Sequence, residues 1–251
     1  MKKELKQPWF CWFELRTREV HSSAEFYGRV VGLSLEQQHG KTLVRCGGQW
    51  VGEIGQLPVQ AAQRGAPNHW LGHIGQVDLS ALVNRFVDLG GAALGPTRST
   101  GEGITVAGMR DPWGTPIAFS TRPWEDAPSP IVWAQLHTTN LAGAVQLYST
   151  TLGWNLVREE HLGAPWGAAQ LISPSGMNEA RGMIAETATQ PGVHPHWLYY
   201  FEVLDVERAA KQTLDAGGKV SGPIRAPWSN ALMTACDDPF GAAFGLIQRG
   251  G

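Results

Sequence analysis

The chain repeats itself. Residues 12–35, WFELRTREVHSSAEFYGRVVGLSL, align without a gap on residues 133–156, WAQLHTTNLAGAVQLYSTTLGWNL, sharing Trp, Leu, Thr, Tyr, Gly and Leu. Further on, HWL at 69–71 meets HWL at 196–198, and Asp78 meets Asp205. DLGG meets DAGG, GP at 95–96 meets GP at 222–223, and DPWG at 111–114 meets DPFG at 238–241. The first set is displaced by 121 residues and the second by 127, so the second copy is longer in the part matching residues 36–68. Two copies are too few for a solenoid, whose units need several neighbours to bury a common core. The chain reads as a duplication with domains at 1–122 and 131–251. PWEDAPSP at 123–130 is the linker, since closely spaced prolines block helix and sheet pairing.

Each copy divides again. A strand-like run, Trp9 to Leu15, is followed by a helix with Val20, Ala24, Tyr27 and Val31 on one face. The second copy repeats that stripe with Leu141, Val145, Tyr148 and Leu152. Short strands are expected at LEQQ, KTLVRC and QWVGEIGQL, after which the plan restarts with the strand WLGHIGQV. Asp78 suits a helix N-cap, Leu79, Leu82, Phe86 and Leu89 form the stripe, and Gly90-Gly91 end the helix. Strands follow at ITVAGMR and TPIAFS, with Asp, Pro and Gly of DPWG making the tight turn between them. The order β-α-β-β-β thus occurs four times. The fold class is α+β, with a helix on one face of each sheet and the other face left to form a cleft.

Composition narrows the function classes. With 251 residues, 43% hydrophobic and 17% charged, the chain can bury a real core. A net charge of −2 with no basic stripe argues against a nucleic-acid partner. No apolar run is long enough to cross a bilayer, and MKKELKQPWF lacks the apolar region of a signal peptide. Three scattered cysteines fit a reducing, cytoplasmic setting better than a disulfide scaffold. Eleven tryptophans imply that some line a pocket or an interface. No GxSxG, P-loop, GxGxxG before a helix or HExxH is present.

Together, CWFELRT, FYGRVVG, HWLGHIG, DLGG and DPWG in the first copy, with VWAQLHT, LYSTTLGW, HWLYYFEVLDV, DAGG and DPFG in the second, resemble the vicinal oxygen chelate superfamily. This group includes glyoxalase I, bleomycin-resistance proteins and extradiol dioxygenases, and the closest likeness is to tandem bacterial members. The resemblance implies two glyoxalase-like domains, four βαβββ units in all, whose curved mixed or antiparallel sheets form clefts. In metal-dependent members, His or Glu side chains at matching strand positions hold an ion that grips two neighbouring substrate oxygens. Carried onto this chain, the first-strand position falls on Trp12 and Trp133, and the last-strand position on Ala118 and Gly245. The second-strand position falls near Gly52-Glu53, and near Gly182-Met183 in copy two. The third falls on Gly72 or His73, and on Tyr199 or Tyr200. Indole, alanine and glycine cannot coordinate a divalent ion.

Trp12 and Glu14 share a strand face, so an indole wall stands beside a carboxylate able to act as base. A core-filling Trp12 and an arginine-paired Glu14 are the alternative reading. Trp133 and Gln135 are the counterparts, and Gln135 can bind but not take a proton. The expected function is a small-molecule-binding protein without a metal or other cofactor. Trp12, Glu53, Ala118, Trp133, Gln135, Tyr199, Tyr200 and Gly245 would line clefts for a planar or apolar ligand, with Ala118 and Gly245 giving room. The alternative is a lyase, isomerase or oxygenase working in the first domain only. Its catalytic groups would be Glu14 with His73 or Glu53, with acid/base chemistry or one divalent metal. No membrane partner is expected, and an exposed sheet face could support a homodimer.

Overall fold

The computed structural model describes residues 8–76, 78–100, 103–124, 128–164, 166–221, 224–225 and 230–250. The opening MKKELKQ, part of the GEG loop, the centre of the expected linker and the second GP pair lie outside the described residues.

The first βαβββ unit runs β1 (Phe10–Thr17), α1 (Val20–Val30), β2 (Ser34–Gln38), β3 (Lys41–Cys46) and β4 (Gln49–Gln56). A short helix that the sequence reading does not contain, α2 (Val59–Gln63), leads to the second unit. That unit is β5 (His69–Gly75), α3 (Leu79–Asp88), the two-residue pieces β6 (Ala92–Ala93) and β7 (Arg98–Ser99), β8 (Thr105–Arg110) and β9 (Pro116–Ser120). The second copy follows the same plan. Its first unit is β10 (Ile131–His137), α4 (Leu141–Leu152), β11 (Asn155–His161), β12 (Ala168–Ser173) and β13 (Gly182–Ala185). Its second is β14 (His196–Glu202), α5 (Val206–Asp215), the short β15 (Lys219–Val220) and β16 (Ile224–Arg225), then β17 (Leu232–Asp237) and β18 (Ala243–Gln248).

The strands form two open nine-stranded sheets, one per copy. The first has the order β2-β3-β4-β1-β5-β9-β8-β6 and the second β11-β12-β13-β10-β14-β18-β17-β15, with β7 and β16 paired off this path. Pairings β1–β4, β5–β9, β10–β13 and β14–β18 are parallel, a helix and at least two strands intervening before the chain returns beside its first strand. The remaining hairpins are antiparallel.

Capping follows the sequence. Asp78, Asn140 and Asp205 accept hydrogen bonds from the backbone N–H groups of Ala81, Gly143 and Arg208. Gly90 and Gly153 take positive φ at the ends of α3 and α4. The helix stripes sit slightly round from the expected face. In α1 the buried residues are Ser23, Ala24, Phe26, Tyr27 and Val30, and in α4 Ala144, Leu147, Tyr148, Thr151 and Leu152. Val20 and Val31 are only half-buried.

The chain divides into two compact units, each built from both copies. One gathers Met1–Trp12, Gly72–Asp126 and Ala134–Trp197, and the other Phe13–Leu71, Ala127–Trp133 and Leu198–Gly251. In the second, Phe26, Tyr27, Trp70, Phe201 and Phe244 form one ring cluster. In the first, Phe86 meets Phe119 and Tyr148, while Trp154 and Trp197 pack on Tyr148. Trp9, Trp12, Trp70, Trp133, Trp154 and Trp197 are all buried. Core packing therefore takes more of the tryptophans than their number suggests. Among the described residues no helix is long and apolar enough to cross a membrane.

Candidate functional site

Strand alternation places Trp12, Glu14 and Arg16 on one face of β1. The parallel register sets Glu14 directly beside Glu53 of β4, and Arg16 beside Gly55. Two carboxylates so close would repel each other if left bare. Each instead holds a cation from its own neighbourhood. Arg16 Nη2 donates to Glu14 Oε2 at 2.8 Å, and Lys41 Nζ donates to Glu53 Oε2 at 3.3 Å. The Arg16–Glu14 pair is 16% exposed on both sides, so it is screened less than a surface pair.

His69 borders this pair. Its Nδ1 lies 2.8 Å from the Pro67 carbonyl oxygen, a contact made by a protonated Nδ1 that leaves Nε2 with the lone pair. Burial lowers its pKa below the usual imidazole value; the Pro67 carbonyl and Glu14 oppose that shift and Arg16 adds to it. The Nε–H of Arg16 is buried without a hydrogen-bond partner. At Gly55, an added Cβ would meet just one atom within 4 Å, Glu53 Oε1 at 3.8 Å. The sheet face beside Arg16 is open there.

In the other unit, the guanidinium of Arg122 lies 4.0 Å from the centre of the Trp12 ring. The ring is buried and its outer face carries a cation. His73 and Ala118 are register partners on β5 and β9, and both are buried. That register selects His73 over Gly72 as the residue sharing a face with Ala118. Cys11 Sγ donates to the His73 carbonyl oxygen at 3.4 Å. Burial raises the Cys11 thiol to about 12 although Arg122 opposes it, which leaves it inert as a nucleophile at neutral pH.

In the second copy Gln135 pairs in register with Met183 and His137 with Ala185. His137 Nδ1 lies 2.6 Å from Thr187 Oγ1, and its ring stacks on His196 at 4.6 Å with 7° between planes. Its Nε2 is buried without a hydrogen-bond partner. His196 places Nδ1 2.7 Å from the His194 carbonyl oxygen, as His69 does with Pro67. Burial, with His196 adding to it, pushes the His137 pKa well below the ordinary imidazole value.

Tyr199 is buried edge-on to Phe13 at 5.3 Å, inside the core of its unit. Tyr200 is the register partner of Gly245. A Cβ at Gly245 would fall 2.2 Å from Tyr200 Cδ1, so the space that glycine leaves is taken by the tyrosine ring and is not an opening. Burial pushes the Tyr200 phenol above its ordinary pKa, keeping it a protonated donor. Trp133 is buried as well.

Two residues with evident chemical potential, Arg16 and His137, were not singled out from sequence. The signal was present: they are the same position of the two copies, both polar on a face that alternation makes inward. Arg122 was hidden because its partner ring lies far away in sequence. Among the described residues, the carried-over positions do not assemble a donor set for an ion. Glu14 and Glu53 each hold a cation, Gln135 and Met183 stand in their place in copy two, and Ala118 and Gly245 carry no donor. Among the described residues no three of His, Cys, Asp and Glu are grouped so as to hold a metal.

Comparison with known proteins supplies the family. The model of the Glyoxalase/Bleomycin resistance protein/Dioxygenase superfamily matches residues 131–246. A glyoxalase-like domain model matches residues 12–120. CFP32 of Mycobacterium tuberculosis, whose name marks it provisionally as a glyoxylase, is 23% identical over 98% of this chain and 97% of its own length. The anthracycline biosynthesis protein DnrV of Streptomyces peucetius is 24% identical over 95% of this chain and 92% of its own. Among solved structures, the Mn(II)-bound glyoxalase from Novosphingobium aromaticivorans superposes with a TM-score of 0.66 at 16% identity, covering 97% of this chain and 82% of that one. The 2,3-dioxygenase LapB from Pseudomonas sp. KL28 gives 0.63 at 17% identity, covering 98% and 92%. These structures share the fold. With both copies matched by family models in tandem, the chain belongs to the glyoxalase/bleomycin resistance protein/dioxygenase superfamily as a two-domain member.

Proposed function

We propose that this protein binds a planar organic small molecule and does so without a resident metal. The observation that carries the reading is the double ion pair of Glu14 with Arg16 and Glu53 with Lys41. Carboxylates that hold a metal give their charge to the ion. Here side-chain cations take that charge, and a metal would have to displace the part-buried Arg16–Glu14 pair as well as the more exposed Lys41–Glu53 pair. Arg122, stacked on the buried Trp12 ring, supports an aromatic ligand, since a guanidinium is a flat cation on which a ring can stack. The relative named for anthracycline biosynthesis supports the same class, anthracyclines being polycyclic aromatics. Free Cys11, Cys46 and Cys236 suit a cytoplasmic location.

Metal analysis of protein purified without added metal, followed by a fluorescence titration against planar aromatic ketones and phenols, tests the proposal. A stoichiometric divalent ion would overturn the metal-free part. Undiminished quenching in both Trp12→Ala and Trp133→Ala would count against the chosen faces.

One feature favours a second reading, an enzyme acting in the first domain. Glu14 and Glu53 are adjacent carboxylates, and adjacent carboxylates are suited to proton transfer. Turnover of any panel compound that is lost in Glu14→Gln with the fold intact would establish it.

A further inference from the structure

The two copies agree at one place where neither is satisfied. Position 16 in the first copy and position 137 in the second are equivalent by the 121-residue displacement, and by register beside Gly55 and Ala185. Each side chain keeps one nitrogen buried and without a hydrogen-bond partner, Nε of Arg16 and Nε2 of His137. Each belongs to the same compact unit as an HW-motif histidine, His69 or His196, whose Nδ1 is tied to the carbonyl two residues earlier. A buried polar nitrogen left bare is costly, more so on a charged group. Finding it at the same position in both copies makes this a feature of the repeat rather than a local packing fault.

In the first copy the missing partner can be specified. Arg16 Nε is a donor only, so its partner must be an acceptor. The edge of the guanidinium is half used, with Nη2 given to Glu14. Space exists beside it, because Gly55 presents no side chain and a Cβ there would touch almost nothing. The local charge is already balanced: Arg16 against Glu14 and Lys41 against Glu53. A ligand carboxylate would add an unpaired negative charge next to two carboxylates, whereas a carbonyl oxygen accepts from Nε–H and leaves the balance intact. We propose that Arg16 anchors the carbonyl oxygen of a neutral aromatic ketone or quinone on the face above Gly55, in the first domain. This deepens the small-molecule-binding reading and rests on it.

Three compounds of one frame test it: 9-fluorenone, fluorene and fluorene-9-carboxylate, measured by equilibrium dialysis against the full chain. The ketone should bind about tenfold or more tighter than the hydrocarbon, and tighter than the acid. Arg16→Met should lower fluorenone to the affinity of fluorene while fluorene itself is unchanged. Because Arg16→Met strips Glu14 of its cation, two further variants guard against misfolding. The double variant Glu14→Gln/Arg16→Met removes both charges together, and Arg16→Lys keeps the charge but has no Nε–H; both should lose the preference for the ketone. Equal binding of all three compounds, preference for the acid, or a ketone preference that survives these variants would overturn the Arg16 role and leave planar-ligand binding standing. If none of the three binds, that broader reading falls with it.

Discussion

Tyr27 of α1 donates its phenolic hydrogen to Asp238 Oδ2 at 3.2 Å across 211 residues of chain. The same Tyr27 oxygen accepts from Trp70 Nε1 at 2.9 Å. Asp238 opens the DPFG turn, and its other oxygen accepts from the backbone N–H groups of Phe240 and Ala242. The arrangement recurs with the copies exchanged. Tyr148 donates to Asp111 Oδ2 at 3.2 Å, and Asp111 Oδ1 accepts from Trp113 and Thr115. The aspartate of each turn thus holds its own loop with one oxygen and a helix from the other copy with the second.

Tyr27→Phe removes one donor and one acceptor and leaves Asp238 and Trp70 each short of a partner. Its expected cost is about 1–3 kcal/mol in urea-denaturation free energy. Tyr148→Phe should cost no more, since Trp197 reaches Tyr148 at a longer 3.4 Å. Denaturation curves of the two variants, compared with wild type at constant m-value, check this.

Gly245→Ala should destabilise by about 1–3 kcal/mol through overpacking, because the new methyl group would land among the Tyr200 ring atoms. If the ring is the cause, Tyr200→Ala should suppress the effect, so that adding Gly245→Ala to it costs far less than in wild type. A double-mutant cycle reads the coupling.

Stability should fall as pH is lowered from about 7 toward 5. His137 and His69 have folded-state pKa values below the ordinary 6.5 because burial disfavours the charged ring. Below 6.5 the unfolded chain binds protons that the native state refuses, so each depressed histidine contributes stability above that pH and loses it on acidification. The slope approaches about 1.4 kcal/mol per pH unit for each such group. Replacing His137 with Gln should flatten the dependence in thermal melts taken across this range.

Chelator treatment should leave the melting temperature unchanged, and elemental analysis should give substoichiometric divalent metal. Both outcomes follow from Glu14 and Glu53 being neutralised by Arg16 and Lys41. A chelator-induced drop of several degrees would point to an ion coupled to folding.

Much of the fold is legible in the sequence because its signals are local and doubled. Helix stripes, Asp78 as a cap and the DPxG turns each appear within a few residues, and the second copy checks the first. Register is less legible. His73 and Gly72 both fit the third-strand position until pairing with Ala118 decides between them. The role of Gly245 was misread because a glycine signals absent bulk without saying what fills the gap, and Tyr200 fills it. Glu14 and Arg16, two residues apart on a strand, form the pair that alternation permits. The orphaned nitrogen of Arg16 was beyond reach, since it depends on which groups fail to arrive.

The interleaving of copies bears on how such a chain is made. Tyr27 is synthesised early, and its carboxylate acceptor follows only 211 residues later. Until then the apolar stripe of α1 lacks Phe201 and Phe244 as ring neighbours. The nascent first copy must therefore wait, exposed to chaperones and aggregation, for a closing contact supplied by the second copy.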